Sequence, residues 1–289
     1  MTQGVGRIVA ALSAALVLAV CLPGRPPAHA DEVPYVPTPA NVVDAMLSIA
    51  EVGPRDYVVD LGSGDGRIVI TAAKRYRARG LGIEYDRTLI AKSRAAAARE
   101  GVADRVKFLQ QDIFVADFRR ATVLTMYLLP EVNLALRPRI LFELRPGTRV
   151  VSHDWDMADW EPERRLVIET PGKTVSPLQE STVYLWVVPA RIAGYWRGTL
   201  AGPQGEEPVA IEFLQHFQIA SANVWLRHWT LPGNGRLRGD RMSLDLDRSS
   251  WEPGSTPLHF GLRVAKDRMD GEAMAGSQRY LLHARRLVE

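Results

Sequence analysis

The distribution of apolar residues divides the chain into two parts with different periodicities. Between residues 39 and 188, segments with helical spacing alternate with short continuous apolar runs. Such alternation is typical of βαβ units in a mainly parallel sheet. The predicted helices are residues 39–52, 66–77, 87–99 and 131–144, and the predicted strands are residues 57–61, 81–84, 106–109, 122–128, 149–152, 166–169 and 182–188.

Beyond Pro189 the pattern changes to short runs in which apolar and polar residues alternate. Turn residues separate these runs, and the cluster Pro232-Gly233-Asn234-Gly235 is one example. Alternation with frequent turns and no helical spacing predicts a small antiparallel β barrel or a curled sheet. The predicted strands are residues 194–200, 209–214, 220–226, 241–246, 259–264 and 280–284. The expected fold is therefore α/β with a mainly parallel seven-stranded sheet, followed by a small C-terminal antiparallel β domain.

The first thirty residues have the pattern of a secretory signal peptide. Arg7 precedes the uncharged apolar run Ile8–Leu22, and Ala28-His29-Ala30 forms an A-x-A cleavage pattern. The run is shorter than the roughly 20 residues of a membrane-spanning helix. We therefore expect a leader at residues 1–30 and an exported, periplasmic protein, with a membrane anchor formed by an uncleaved N-terminal segment as the alternative. Residues 31–189 and 190–289 would then form the two domains.

Charge and cysteine content exclude several classes of site. The chain has 36 basic and 33 acidic residues, a formal net charge of +3, which does not favour a nucleic-acid partner. Its one cysteine, Cys21, falls in the predicted leader, so thiolate zinc sites, intrachain disulfides and cysteine catalysis are not expected. Three histidines of the β domain lack ligand spacing, and no metal site is predicted there: His216, His228 and His259.

The segment that indicates chemistry is the glycine-rich sequence at residues 58–67, VVDLGSGDGR. A buried strand leads into Gly62, Gly64 and Gly66, and a helix follows, which offers free backbone N–H groups to a ligand. The spacing G-x-G-x-G, preceded by Asp60, departs from the dinucleotide pattern G-x-G-x-x-G. This departure favours a smaller nucleoside without a pyrophosphate.

Two further acidic residues follow the second and third predicted strands. Glu84 could accept hydrogen bonds from ribose hydroxyls, and Asp112 could hold an adenine amino group. A nucleoside held by glycines and carboxylates fits S-adenosylmethionine. The pattern resembles the class I S-adenosylmethionine-dependent methyltransferases, which implies a Rossmann-like fold and S-adenosylmethionine as the cofactor.

A closer resemblance covers about residues 33–162. Its segments include residues 33–39, 60–70, 82–84, 127–130 and 150–155. Together they are similar to the lysine methyltransferase family whose mitochondrial members act on the adenine nucleotide translocase and on the c-ring protein of ATP synthase. The resemblance implies protein-lysine N-methylation and a membrane-associated acceptor. It also implies that the segment with Tyr35 and Thr38 closes over the cofactor, where Thr38 could bond the cofactor carboxylate; a plain helix N-cap region is the alternative.

Three other residues are candidates for roles beside the cofactor. Tyr127 follows the fourth strand, where its carbonyl could receive an amine and its ring could face a cation, or it is a half-buried strand-end residue. His153 ends the fifth strand and is either a proton acceptor or a structural histidine. Asp65 either contacts the ligand or pairs with Arg67.

Three functions are compatible with these features. The first is an S-adenosylmethionine-dependent methyltransferase that modifies protein lysine by direct displacement at the sulfonium methyl. The second keeps the cofactor and uses a small molecule or lipid as the acceptor, with the β domain shaping the acceptor site. The third is an exported, non-catalytic binding protein on a methyltransferase scaffold, which the predicted export signal motivates.

Overall fold

The computed structural model describes residues 35–173, 178–249, 255 and 257–287. The predicted leader at residues 1–30 lies outside the described residues, as do residues 33 and 34 of the family resemblance. The helices are α1 (Ala40–Ile49), α2 (Arg67–Tyr76), α3 (Arg87–Arg99) and α4 (Pro130–Glu143). The strands are β1 (Tyr57–Leu61), β2 (Arg79–Glu84), β3 (Val106–Gln110), β4 (Val123–Met126), β5 (Arg149–His153), β6 (Arg164–Glu169), β7 (Glu180–Val187), β8 (Gly194–Gly202), β9 (Gly205–His216), β10 (Ile219–Leu226), β11 (Trp229–Arg238), β12 (Arg241–Leu246), β13 (Leu258–Ala265), β14 (Arg268–Ala275) and β15 (Gln278–Arg286).

The first part of the chain forms the predicted mainly parallel sheet. Its seven strands are ordered β3-β2-β1-β4-β5-β7-β6, and β1 to β5 run parallel. The last two strands are antiparallel, since β7 pairs in the opposite direction with both β5 and β6. The strand order reverses at β1, between β2 and β4, and open α/β sheets bind ligands in the crevice at such a switch point.

Apolar layers cover both faces of this sheet. Helices α1, α2 and α3 pack on one face around residues such as Val58 and Val123. Helix α4 packs on the other, where Val59 and Leu124 contribute to the core. Adjacent strand residues point to opposite faces, and the central strands are therefore continuous apolar runs, as expected for a sheet covered on both sides.

The C-terminal part is a closed antiparallel barrel of eight strands, as the alternating runs predict. Successive strands from β8 to β15 pair in order, and β15 returns to pair with β8. Inward positions alternate with exposed ones; the interior is filled with side chains that include Trp196, Phe213 and Phe260. Such filling is typical of small barrels.

One prediction for the barrel is wrong, because the cluster Pro232–Gly235 is not a turn. It lies in the middle of β11, where it pairs with β10 on one side and β12 on the other. A Cβ atom at Gly235 would overlap the Met242 side chain, and one at Gly233 would lie 3.1 Å from Leu244 Cδ1. These glycines therefore allow close packing inside a strand. Strand β14 was not predicted either, because glycine and acidic residues interrupt its apolar pattern.

The barrel packs against the loop that follows β5 and against α4. The Phe217 ring stacks on Trp160, with 5.9 Å between ring centroids, and the Arg137 guanidinium lies 5.2 Å from the centre of the Phe217 ring. Gln218 also donates a hydrogen bond of 3.0 Å to the carbonyl of Glu161. Among the described residues, no helix is long and apolar enough to cross a membrane.

Candidate functional site

A cavity of about 560 Å³ opens at the carboxyl ends of the parallel strands, over the switch point. The structure brings most of the predicted site residues together around it. The predicted residues that line the cavity are Tyr35, Thr38, Asp60, Gly62, Gly64, Asp65, Glu84 and Tyr127. Three predicted residues do not line it: Gly66, Asp112 and His153.

The glycine-rich turn between β1 and α2 forms the floor of the cavity. Gly64 has a φ of 54°, a left-handed conformation that favours glycine. A Cβ atom at this position would also overlap the Tyr35 ring. The Gly64 N–H donates to Glu84 Oε2 at 2.8 Å, so that the turn is fixed to the end of β2. The Glu84 Oε1 atom accepts the N–H groups of Tyr85 and Asp86.

Gly66 serves the packing of the turn rather than the cavity. It precedes α2 with a φ of 81°, and its N–H donates to the Ser63 carbonyl at 2.8 Å. A Cβ atom here would lie 2.6 Å from Phe108 Cε1 and 2.9 Å from Ser93 Cβ. Any larger residue would therefore separate α2 from β3 and α3. The cofactor contact of Gly66 stays a prediction.

Asp60 is the most deeply buried carboxyl group of the cavity wall. Its Oδ1 atom accepts a hydrogen bond of 2.7 Å from the Thr125 hydroxyl. Burial raises the pKa of Asp60 to about 7, and the nearby charges of Glu84 and Asp65 add to the effect, whereas the Thr125 hydrogen bond opposes it. The side chain thus exchanges a proton near neutral pH, at a place where a cation would favour its ionised form.

Arg67 joins the glycine-rich turn to the segment that precedes α1. Its Nε and Nη2 atoms donate to the two Asp65 oxygens at 2.9 and 2.7 Å, and its Nη1 atom donates to the Thr38 carbonyl at 2.7 Å. Burial opposes the ionisation of Asp65, but the Arg67 hydrogen bonds outweigh it, and the pKa of Asp65 is lowered. Asp65 pairs with Arg67 and also lines the cavity, and its contact with the ligand stays a prediction.

Asp112 lies beside the cavity without lining it. Its Oδ1 atom accepts the Phe114 N–H at 2.8 Å, which shapes the chain after β3. Its neighbours Gln110 and Ile113 line the cavity instead. The contact of Asp112 with an adenine amino group stays a prediction. Gln110 was missed, although its place at the end of β3 could have indicated it.

Tyr127 and His153 form one packed group at the ends of β4 and β5. Their ring centroids are 3.8 Å apart, and the Thr38 hydroxyl lies 3.4 Å from His153 Nδ1. Burial lowers the pKa of His153 to about 4, although the Asp154 carboxylate works against this effect. A histidine with this pKa is a poor proton acceptor at pH 7. The His153 ring packs against Tyr127, and its role as a proton acceptor, which the low pKa does not favour, stays a prediction.

A buried ion pair lies next to this group and was missed by the sequence analysis. Lys173 Nζ lies 2.6 Å from Asp154 Oδ2, and the Lys173 side chain is 7% exposed. The Tyr127 hydroxyl donates to the same Oδ2 atom at 3.3 Å. Burial raises the pKa of Tyr127, and the Asp154 charge raises it further, so the phenol keeps its proton. Lys173 lies in the loop between β6 and β7, two strands that the sequence predicts to be antiparallel. Because these strands return to the sheet beside β5, their loop could have been expected near the end of β5.

The residues of the cavity fit S-adenosylmethionine. Three carboxyl groups (Asp60, Asp65 and Glu84) provide acceptors for ribose hydroxyls and an amino group, and the turn allows close approach of a ligand to the backbone. Ser63 Oγ, also in the cavity wall, is buried and has no hydrogen-bond partner among the described residues. Within residues 35–173, 178–249 and 257–287, no three His, Cys, Asp or Glu side chains cluster as a metal site would require.

The doubly wound sheet, its glycine-rich turn and the carboxylate-lined cavity define a class I S-adenosylmethionine-dependent methyltransferase. A family model described as the ANTKMT methyltransferase domain matches residues 60–164. A protein-lysine N-methyltransferase of Saccharolobus islandicus (strain REY15A) is 42% identical over 161 residues, which are 55% of this chain and 96% of that protein. The chain belongs to this ANTKMT family of methyltransferases, and S-adenosylmethionine is its cofactor.

Other relatives carry more specific names. A Rattus norvegicus lysine N-methyltransferase, named for the c-type subunit of ATP synthase, is 33% identical over 131 residues, 45% of this chain and 60% of that protein. The adenine nucleotide translocase lysine N-methyltransferase of Mus musculus is 34% identical over 45% of this chain and 57% of its own length. A solved structure described as an RNA methyltransferase from Salinibacter ruber, in complex with S-adenosyl-L-homocysteine, is 52% identical, with a TM-score of 0.50, and the match covers 54% of this chain and 96% of that one.

Proposed function

We propose that this methyltransferase transfers the methyl group to the side-chain nitrogen of a protein lysine. One observation carries the proposal: the structure already accommodates a lysine ammonium beside the cofactor cavity. Tyr127 lines that cavity and donates to Asp154, which in turn pairs with Lys173. The names of the Saccharolobus, rat and mouse relatives support a lysine acceptor.

The side chains of the site bind and orient the reactants rather than react themselves. When bound, S-adenosylmethionine would supply a sulfonium methyl. The acceptor lysine would lose its ammonium proton to solvent and attack that methyl with its lone pair, while sulfur would keep the electrons of the broken C–S bond. Asp60 and Glu84 hold the cofactor side of the cavity, and the Arg67 bond to the Thr38 carbonyl keeps the preceding segment over it. Such a displacement mainly requires that water be excluded and that the acceptor nitrogen be aligned with the methyl carbon, and we expect these side chains to meet both requirements.

The test is methyl transfer from radiolabelled S-adenosylmethionine by the full chain, with protein and RNA fractions of a cell extract as acceptors. We expect label that protease releases and RNase does not, and that acid hydrolysis yields as N-methyllysine. Glu84→Ala is the control that should lose transfer to every acceptor. Label confined to RNA would refute the proposal.

RNA methylation is the second candidate, because the Salinibacter relative is described as an RNA methyltransferase and is 52% identical. The formal net charge of +3 does not favour it, since RNA affinity comes mainly from clusters of basic residues. The same labelling experiment separates the two candidates. A lipid or small-molecule acceptor would leave the label in the organic extract or in the filtrate.

We further propose that the chain is exported by a leader at residues 1–30 and acts on a membrane-associated protein. The apolar run Ile8–Leu22 with its A-x-A pattern supports export, and the names of the rat and mouse relatives support a membrane acceptor. Alkaline phosphatase fused after residue 45 should be active in cells. An inactive fusion would contradict export, and label confined to soluble proteins would contradict the membrane acceptor.

A further inference from the structure

We propose that Asp154 is the residue that receives the ammonium group of the acceptor lysine, and that Lys173 occupies this position until the acceptor displaces it. The inference rests on the proposed function and specifies how the same site recognises its acceptor and is kept closed to other groups. It is carried by four neighbouring side chains: Tyr127, His153, Asp154 and Lys173.

The Asp154 carboxylate is held in a fixed orientation. Its backbone has a φ of 63°, a left-handed conformation that is uncommon for residues other than glycine. Its Oδ1 atom accepts the Thr182 N–H at 3.0 Å, and its own N–H donates to the Thr182 carbonyl at 2.6 Å. One carboxylate oxygen is thus used by β7, and Oδ2 is left to face Tyr127 and Lys173.

The surroundings of Oδ2 suit a group with several N–H donors. His153 Nε2 lies 3.5 Å from Oδ2, is buried, and has no hydrogen-bond partner among the described residues. With its low pKa, this ring is neutral at pH 7, and one of its nitrogens carries a lone pair. An ammonium carries three donors and no acceptor. It can therefore bond Oδ2 and still offer an N–H to this histidine.

Lys173 shows that an ammonium on a four-carbon stem fits here. Its Nζ atom donates to the Glu180 carbonyl at 2.7 Å and pairs with Asp154. Replacing Lys173 by an acceptor lysine exchanges one buried ion pair for another of the same chemistry. Breaking such a pair without replacement is strongly destabilising, because it leaves a buried charge uncompensated. A neutral acceptor cannot displace Lys173 without this cost, so the pair discriminates in favour of lysine.

The position also suits the reaction itself. Tyr127 lines the cofactor cavity and contacts Asp154, which places the carboxylate one side chain away from the cofactor. The bound ammonium first loses one proton to solvent, and the lone pair of the resulting amine then forms the N–C bond as the C–S bond of the cofactor breaks. Positive charge returns to the acceptor nitrogen in this step, and a fixed carboxylate nearby stabilises that charge. The turn after β4, Tyr127-Leu128-Leu129-Pro130, contains no carboxylate that could do this.

The direct test uses n-butylammonium as a probe of the lysine side chain and needs no methyl transfer. Its binding to the full chain, in the presence of S-adenosylhomocysteine, is followed by NMR. Lys173→Met removes the competing cation, and we expect at least about tenfold tighter binding than in the natural protein. Lys173→Gln serves if the methionine variant does not fold. Adding Asp154→Asn should abolish the gain, and n-butanol should not bind.

A matched control is available in Lys74, which forms a similarly short ion pair with Glu100, at 2.7 Å, but on the surface, where its side chain is 58% exposed. Lys74→Met should leave n-butylammonium binding unchanged. The inference is overturned if Lys173→Met binds the probe no better than the natural protein, or if Lys74→Met gains as much.

Acceptor kinetics separate this inference from the proposed function. Asp154→Asn should raise KM for a lysine acceptor by at least about tenfold without changing the Kd of S-adenosylmethionine, and Lys173→Met should lower that KM. If proteins are methylated and Asp154→Asn leaves KM unchanged, the proposed function stands and the inference fails. If no protein is methylated but Lys173→Met still gains n-butylammonium affinity, ammonium recognition stands and protein-lysine methylation fails.

Discussion

The affinity for S-adenosylmethionine should rise with pH, because Asp60 loses its proton near pH 7. This carboxyl group lies in the cavity wall beside Glu84 and Asp65, and its burial sets its pKa at about 7 in the cofactor-free protein. S-adenosylmethionine carries a sulfonium and an ammonium against one carboxylate. A net cation in the cavity stabilises the ionised carboxylate, which lowers the pKa of Asp60 in the complex and releases a proton.

The size of the effect follows from the fraction of Asp60 that is ionised before binding. At a pKa of about 7, that fraction is roughly one eleventh at pH 6 and ten elevenths at pH 8. If only the ionised form binds well, the apparent Kd is divided by the competent fraction. The Kd should then fall about tenfold between pH 6 and pH 8.

Calorimetric titration of the full chain at pH 6, 7 and 8 measures the Kd of S-adenosylmethionine at each pH. Repeating it in two buffers with different ionisation enthalpies gives the number of protons released. Asp60→Asn keeps the shape and the Thr125 contact but cannot ionise, so its Kd should vary little over this range. An equal Kd at pH 6 and pH 8, or the same slope in Asp60→Asn, would refute the reasoning.

Three further predictions concern the turn, the buried histidine and the barrel contact. Gly64→Ala forces a side chain into a left-handed backbone and into the Tyr35 ring, so the Kd of S-adenosylmethionine should rise at least about tenfold; an unchanged titration would contradict this. The folded-state pKa of His153, about 4, lies below its unfolded value near 6.5. The neutral ring therefore contributes up to about 3 kcal/mol to the free energy of unfolding, and this contribution is fully present above pH 6.5 and is lost as pH falls through 4. Urea unfolding at pH 7 and pH 4, compared with His153→Phe, checks this, and parallel losses in both proteins would argue against it. Phe217→Ala removes the ring stacked on Trp160, and the free energy of unfolding measured in urea should fall by about 1–3 kcal/mol. A change below about 0.5 kcal/mol, roughly that of an ordinary surface substitution, would show that this contact contributes little to the stability of the interface.

Local patterns were enough to predict the sheet and the main part of the cavity. The apolar run of β1, the glycines that follow it and the acidic residue that ends β2 are each defined within about ten residues of sequence. The carboxyl ends of parallel strands meet at one edge, so Asp60 and Glu84 could be placed together without coordinates. The alternating runs likewise predicted a barrel, because alternation follows directly from a sheet with one buried face.

Contacts between distant segments could not be predicted in this way. Gly233 and Gly235 have the composition of a turn, but they lie inside strand β11, where Leu244 and Met242 of the neighbouring strand leave little room for a side chain. Lys173, in the loop between β6 and β7, pairs with Asp154, which follows β5. Lys173 lies outside every segment of the family resemblance, so nothing in the sequence joined it to Asp154. His153 ends β5 as predicted, but its basicity depends on its burial, which the sequence does not state.

The closure of the barrel has a consequence for how this part of the chain folds. Seven of its strand pairs join neighbours in sequence, and each can form as a hairpin soon after its two strands exist. The eighth joins β15 to β8, where Leu281 pairs with Ala201, 281 − 201 = 80 positions earlier. Joining such distant segments costs more loop entropy than closing a hairpin, and proteins dominated by such contacts fold slowly. The rate of barrel formation should therefore be set by the pairing of β15 with β8. Until these two strands pair, they remain open edges that can pair with other chains.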